Sequence, residues 1–170
     1  MTSILVTGLI GSGKSAVCRI FAEAGYPVYD SDSHTKALYK DPAVASAILE
    51  LTGFEVDKLG GIFACPDKLL ALEEYIHPIV LEDFRRFADG SGSGVVFFES
   101  AIAPCKPVFA GAFDKVLLVR ADSALRARRN PKAVERSSFQ SEPSEYDYLI
   151  ENNGSLDDLK YKTDLIIRQL

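Results

Sequence analysis

Residues 4–18 read ILVTGLIGSGKSAVC, and within them Gly8, Gly11, Gly13, Lys14 and Ser15 fall into the spacing G-x-x-x-x-G-K-S. Glycines set after an apolar run let consecutive backbone N–H groups turn inward around an anion. A helix starting near Lys14 adds its positive N-terminal end. The lysine can reach the outer phosphates of a nucleotide and the Ser15 hydroxyl can ligate Mg²⁺. The strand before and the helix after supply the context this pattern requires, so the stretch reads as a nucleotide phosphate site.

Three further groups bear on whether the phosphoryl group is transferred or hydrolysed. Asp30 and Asp32 stand two apart at "VYDSD", where a short strand ends. Ligands of open parallel sheets bind beyond the carboxyl ends of strands. The pair can orient Mg²⁺ or accept a proton from a hydroxyl nucleophile; helix capping ahead of "SHTKALY" is the competing role for Asp32. Glu99 ends "VVFFE". If its strand neighbours the first, Glu99 lies beside the phosphate loop near a metal's water shell; otherwise it is an exposed loop acid. Arg126, Arg128, Arg129 and Arg136, with Lys132, form a basic segment in an acidic chain. Arginines on a closing lid stabilise a transferring phosphoryl group, whereas a solvated helix face is the plainer role for any one of them.

The elements that must position these groups alternate between strand and helix. Apolar runs at 4–7, 27–30, 95–98, 115–119 and 146–150 predict five strands, and continuous apolar runs suit parallel strands covered on both faces. Val17, Ile20, Phe21 and Ala24 recur at helical spacing, with Gly25 closing the helix. Asp41 and Pro42 open a second helix that Gly53 ends. Residues 67–87 are helical in pattern, and Pro78 is expected to kink or restart that helix. "DGSGSG" at 89–94 is a connector, and Ser155 caps a last helix, with Asp158 as capping-box acid. Strands separated by helices argue for a parallel α/β sheet.

The whole composition agrees. The chain has 170 residues with 47% apolar and 25% charged, which suits one domain with a sizeable core. A net charge of −5 speaks against a general nucleic-acid or membrane-surface binder. No apolar run approaches a membrane span, and the N-terminus has no signal-peptide pattern. Cys18, Cys65 and Cys105 are odd in number and lack metal-type spacing; with only His34 and His77 beside them they predict free thiols in a reducing cytoplasm and no zinc site.

Four stretches carry a resemblance: "TGLIGSGKSAVCRIFAEAGYPVYDSD", "YIHPIV" at 75–80, "VLLVRADSALRARR", and "IENNGSLDDL" at 150–159. In order and approximate spacing over nearly the whole chain, they resemble the dephospho-CoA kinases. The resemblance implies a P-loop kinase fold, with a five-stranded parallel sheet in the order 2-3-1-4-5 flanked by helices. It implies one domain over 1–170, its core at 1–32, 91–120 and 145–170, a helical substrate region at 33–90 and a short lid at 121–144. The implied cofactors are ATP and Mg²⁺, and the implied substrate is dephospho-CoA, phosphorylated on its 3′-hydroxyl in a cytoplasmic enzyme.

By the same resemblance, Gly8 and Gly11, Ser12, Gly13, Lys14, Ser15 and Ala16 hold ATP phosphates, with Ser15 on the metal. Asp32 accepts the hydroxyl proton, with Asp30 and Glu99 beside the substrate. Arg126, Arg129, Arg136 and Lys14 stabilise the transferring group. His77 lies near dephospho-CoA, or merely caps backbone; the Asn153–Gly154 turn lies near adenine, or is an ordinary turn. The sequence departs from the family at Leu9, commonly glycine, at Ala16, commonly threonine, in "ESAIAP", and in a shortened lid. A kinase for another small acceptor, such as a nucleoside monophosphate, and a catalytically weak nucleotide-binding regulator remain open, because the phosphate loop selects neither an acceptor nor an oligomeric state.

Overall fold

Strand β1 (Thr2–Thr7) is the centre of a five-stranded sheet. It pairs in parallel with β3 (Val95–Glu99) on one side and β4 (Lys115–Arg120) on the other. Beyond β3 lies β2 (Val28–Asp30), and beyond β4 lies β5 (Tyr148–Glu151), so the order is β2-β3-β1-β4-β5, as the resemblance implies. The computed structural model describes residues 1–131 and 140–170.

The central strands are apolar on both faces because both are covered. Ile4 and Val6 of β1, Phe97 of β3, Leu117 and Val119 of β4 and Ile150 of β5 pack against helix α1 (Lys14–Glu23) and the last helix, α6 (Leu156–Ile167), through Val17, Cys18, Phe21, Leu159 and Ile166. Phe21 lies stacked on Phe97 with centroids 3.9 Å apart. On the other face Phe98 stacks on Tyr29 at 5.3 Å and meets Phe113 at 4.9 Å. Phe21, Phe97, Tyr29 and Phe98 are fully buried, and burying such a ring contributes roughly 1.5–3 kcal/mol. Here the return from β3 to β4 has only the short 3-10 turns Ala103–Cys105 and Pro107–Phe109.

Two compact units divide the chain. One holds residues 1–30 and 87–170, the sheet with its covering helices; the other holds residues 31–86. The second unit contains α2 (Ser31–Leu38), α3 (Pro42–Thr52), the 3-10 helix Val56–Ala64, and α4 (Pro66–Gly90) up to Arg86. Helix α3 follows its sequence signals: Asp41 accepts a hydrogen bond from the Ala43 amide at 2.8 Å, Pro42 opens it, and Gly53 ends it.

Two expectations are corrected. Of the kink or restart expected at Pro78, the restart does not occur: helix α4 runs through it from Pro66 to Gly90. Leu72, Ile76, Val80 and Phe84 recur every four residues and are all buried, and that stripe outweighs the roughly 3 kcal/mol that an interior proline costs. The same helix takes in Asp89 and Gly90, so the expected connector shortens to the residues after them. The Ser155 cap stands, its hydroxyl accepting from the Asp158 amide at 3.1 Å, while the Asp158 carboxylate takes a hydrogen bond from Lys162 at 2.8 Å. Among the described residues no helix is long and apolar enough to cross a membrane.

Candidate active site

The glycine loop joins β1 to α1 at the carboxyl end of the central strand. Two of its glycines are required by geometry. Gly8 has φ +143°, and a Cβ there would lie 2.0 Å from the Val119 carbonyl oxygen of β4. Gly13 has φ +102° at the start of α1, and a Cβ there would lie 2.1 Å from the Asn152 carboxamide nitrogen. Side chains rarely adopt such left-handed backbone. The loop is closed on itself by the Ser12 amide donating to Leu9 O at 3.0 Å, and α1 starts with the Ala16 and Val17 amides donating to Gly13 O. Lys14 folds back so that its ammonium lies 3.5 Å from Leu9 O. The Ser12 hydroxyl is fully buried with no hydrogen-bond partner among the described residues. A buried hydroxyl of this kind in a loop leaves a donor for water or a bound group to meet.

Glu99 stands beside the loop because β3 is the neighbour of β1, in register with Val6, and on its other side in register with Asp30 of β2. Its carboxylate accepts a 2.7 Å hydrogen bond from the Ser15 hydroxyl. Burial raises its proton affinity above the usual glutamate range; the Asp30 charge adds to this, while the bond from Ser15, the Lys14 charge and the Cys18 thiol oppose it. Burial likewise raises Cys18, one helical turn beyond Lys14, well above an ordinary thiol, and Glu99 adds to that, so Cys18 stays protonated. One hydroxyl and nearby carboxylates are hard oxygen ligands of the type Mg²⁺ prefers, and Mg²⁺ usually takes its remaining ligands from phosphate and water. The residues therefore fit the metal without a protein cage, and among the described residues no cluster of three His, Cys, Asp or Glu side chains forms one.

The arginine segment starts as α5 (Ser123–Arg129), directly after β4. Arg126 donates through Nε to Ala121 O at 3.2 Å, and its backbone passes against Gly11. Arg129 reaches the loop: Nη1 lies 3.5 Å from both Gly11 O and Ser12 O, and Nη2 donates to Asn152 O at 3.0 Å. Arg128 and both of these sit in the last turn of α5, where positive charge also complements the helix dipole. Arg136 and Lys132 lie outside the described residues.

After β5, Asn153 is latched to the start of α5: its Oδ1 accepts from the Asp122 amide at 2.9 Å and its Nδ2 donates to Asp122 Oδ1 at 3.1 Å. Gly154 lies against the Asp158 side chain. Two residues that sequence reasoning did not single out also touch the loop. Gln140 Oε1 accepts from the Ile10 amide at 2.8 Å, and Asn152 Nδ2 donates to Ser12 O at 2.8 Å. Neither has a local signature; Asn152 is distinguishable from Asn153 only by the face on which the chain leaves β5.

In the second unit, Asp32 lies inside the first turn of α2 rather than at a cap position ahead of it. There its charge favours the helix through the dipole. Nearby Tyr39 is pushed up, by burial first and by the Asp32 charge second. His77 is buried on α4, and His34 Nδ1 lies 3.0 Å from Asp83 Oδ2.

A parallel sheet ordered 2-3-1-4-5, with a glycine loop, lysine and serine between its central strand and first helix, defines a P-loop kinase fold. The family model for dephospho-CoA kinase matches residues 2–147. Dephospho-CoA kinase of Chlorobaculum tepidum is 34% identical over 198 residues, covering 97% of this chain and 93% of the relative. That of Porphyromonas gingivalis is 34% identical over 154 residues, covering 84% and 73%. A Thermus thermophilus protein of known crystal structure superposes with a TM-score of 0.81 at 27% identity, over 99% of this chain and 97% of that one. The chain belongs to the dephospho-CoA kinase family.

Proposed function

We propose that this enzyme transfers the γ-phosphoryl group of ATP to the 3′-hydroxyl of dephospho-CoA, the last step of coenzyme A formation, in the cytoplasm. The observation that carries the reading is the Ser15–Glu99 hydrogen bond at the mouth of the glycine loop, in a chain of this family. Three free cysteines suit a reducing compartment.

In this reading the loop from Gly8 to Ala16 binds the phosphates through backbone amides, and Lys14 swings from Leu9 O to the β- and γ-phosphates. Ser15 would ligate Mg²⁺, and the ion would supply charge neutralisation for the transferring phosphoryl group. Glu99 fixes the Ser15 hydroxyl, and Asp30 shares its charge environment. Asp32 accepts the proton as the ribose 3′-oxygen bonds to γ-phosphorus and the bond to the ADP oxygen breaks. Arg126, Arg129 and Arg136 stabilise the transferring group, His77 serves the dephospho-CoA side, and Asn153–Gly154 borders the adenine. Residues 121–144 act as the lid and 33–90 as the substrate region of one domain.

The test is a panel of acceptors with ATP and Mg²⁺, following ADP release. Release with dephospho-CoA and not with nucleoside monophosphates is expected. Turnover on another acceptor alone would reassign the substrate. Nucleotide binding with no acceptor-dependent turnover would make the chain a regulator.

A further inference from the structure

Asn152 is a polar side chain buried at 6% exposure, in the first position after β5. Its backbone is pinned, because its amide donates to Arg120 O at the end of β4 at 2.7 Å. Its carboxamide donates to Ser12 O at 2.8 Å, and its own carbonyl accepts from Arg129 Nη2 at 3.0 Å. The acceptor at Ser12 fixes which end of the carboxamide faces the loop, since only the nitrogen can donate. Gly13 is fitted against the same nitrogen, leaving no room for a Cβ.

We propose that Asn152 is a positioning residue of the phosphate loop: by holding the Ser12 carbonyl outward, it turns the Gly13 amide toward the phosphates of the bound nucleotide. A trans peptide is planar, and the carbonyl of one residue points opposite to the N–H of the next. A donor on Ser12 O therefore sets the direction of Gly13 N–H. Were that peptide to flip, a carbonyl dipole would face the anion and an amide would face the Asn152 nitrogen. Arg129 acts on the same peptide from α5, its Nη1 lying 3.5 Å from Ser12 O, and it ties that contact to the Asn152 backbone. The end of β5 thus sets the polarity of a loop 140 residues earlier in the chain. The inference rests on reading the loop as a nucleotide phosphate site.

The test uses the full chain with Asn152→Ala and the uncharged, similarly bulky Asn152→Leu. Binding of ADP, of inorganic pyrophosphate and of adenosine is measured for each, with melting temperature and the Gly13 amide resonance on ADP addition. Both variants should bind ADP and pyrophosphate about tenfold more weakly, the worth of one net hydrogen bond. Adenosine binding should be unchanged, melting temperature should move by only a few degrees, and the Gly13 resonance should respond less to ADP. Asn152→Leu binding pyrophosphate like the parent would overturn the inference, since bulk alone would then suffice. So would a parallel loss of adenosine binding and melting temperature, or failure of both variants to fold, which make Asn152 a packing residue. If the parent chain itself bound neither ADP nor pyrophosphate, the phosphate-loop reading would fall first and take this inference with it.

Discussion

The Ser15 hydroxyl and the Glu99 carboxylate meet at 2.7 Å although 84 residues separate them. The contact exists because β3 lies beside β1 with Glu99 opposite Val6. It has a pH signature. Glu99 is raised above its ordinary value of 4.5, chiefly by burial. Above 4.5 and up to the raised value, the folded state therefore holds a proton that the unfolded chain has released. Stability falls as pH rises through that window, and the full cost is present above it. Glu99→Gln removes the ionisation while keeping an oxygen for Ser15. The melting temperature of the variant relative to the parent should rise between pH 4 and pH 8, even as turnover is lost. Thermal melts across that range check it; a constant difference would mean that Glu99 carries no raised proton affinity.

Lys14 is half-buried in the loop, its ammonium at the long distance of 3.5 Å from Leu9 O. A contact that long contributes little to stability. Lys14→Ala should abolish measurable phosphoryl transfer in a chain that still folds. Comparable ADP formation by the variant, in a coupled assay at saturating dephospho-CoA, would remove Lys14 from the mechanism.

Asp32→Asn separates a proton acceptor from a helix-dipole residue. General-base loss costs about 10²–10⁴-fold in rate, whereas removing an acid from the first turn of α2 costs about 0.3–1 kcal/mol. The expected result is a kcat lower by orders of magnitude with ATP affinity unchanged. Near-normal kcat would leave Asp32 a structural acid. Asp30→Asn, one strand position from α2, is the control and should have the smaller effect.

The three thiols should differ in reactivity. Cys18 is buried and held protonated, while Cys105 is exposed with its sulfur 3.1 Å from the Ser141 hydroxyl. Thiolate and access govern alkylation. Iodoacetamide on the native protein, read by peptide mass, should label Cys105 well before Cys18. Equal labelling would show that α1 opens readily from the sheet.

The strands were legible because a parallel sheet covered on both faces demands continuous apolar runs, and VVFF and KVLLV are such runs. The phosphate loop was legible because its glycines leave no room for a side chain: Gly8 meets the Val119 backbone, Gly11 the Arg126 backbone and Gly13 the Asn152 carboxamide. What escaped depends on distance in the chain. The Cys18–Glu99 contact, the Gln140 bond to Ile10 and the Asn152 bond to Ser12 join residues far apart in sequence, and no local pattern announces them. The restart offered at Pro78 fails for the opposite reason: the local effect of proline is strong, but a buried stripe every four residues carries α4 through it.

The strand order has a consequence for synthesis. Ile4 of β1 pairs with Lys115 of β4, and Thr2 pairs with Val95 of β3. The central strand is made before both of its partners, so its hydrogen-bonding edges stay open until β3 and β4 emerge from the ribosome. At ~5–20 residues per second that interval is on the order of ten seconds. An unpaired apolar strand exposed for that time is a template for pairing with other chains. Chains released before β4 would keep one edge of β1 open, making them candidates for chaperone capture rather than for nucleotide binding.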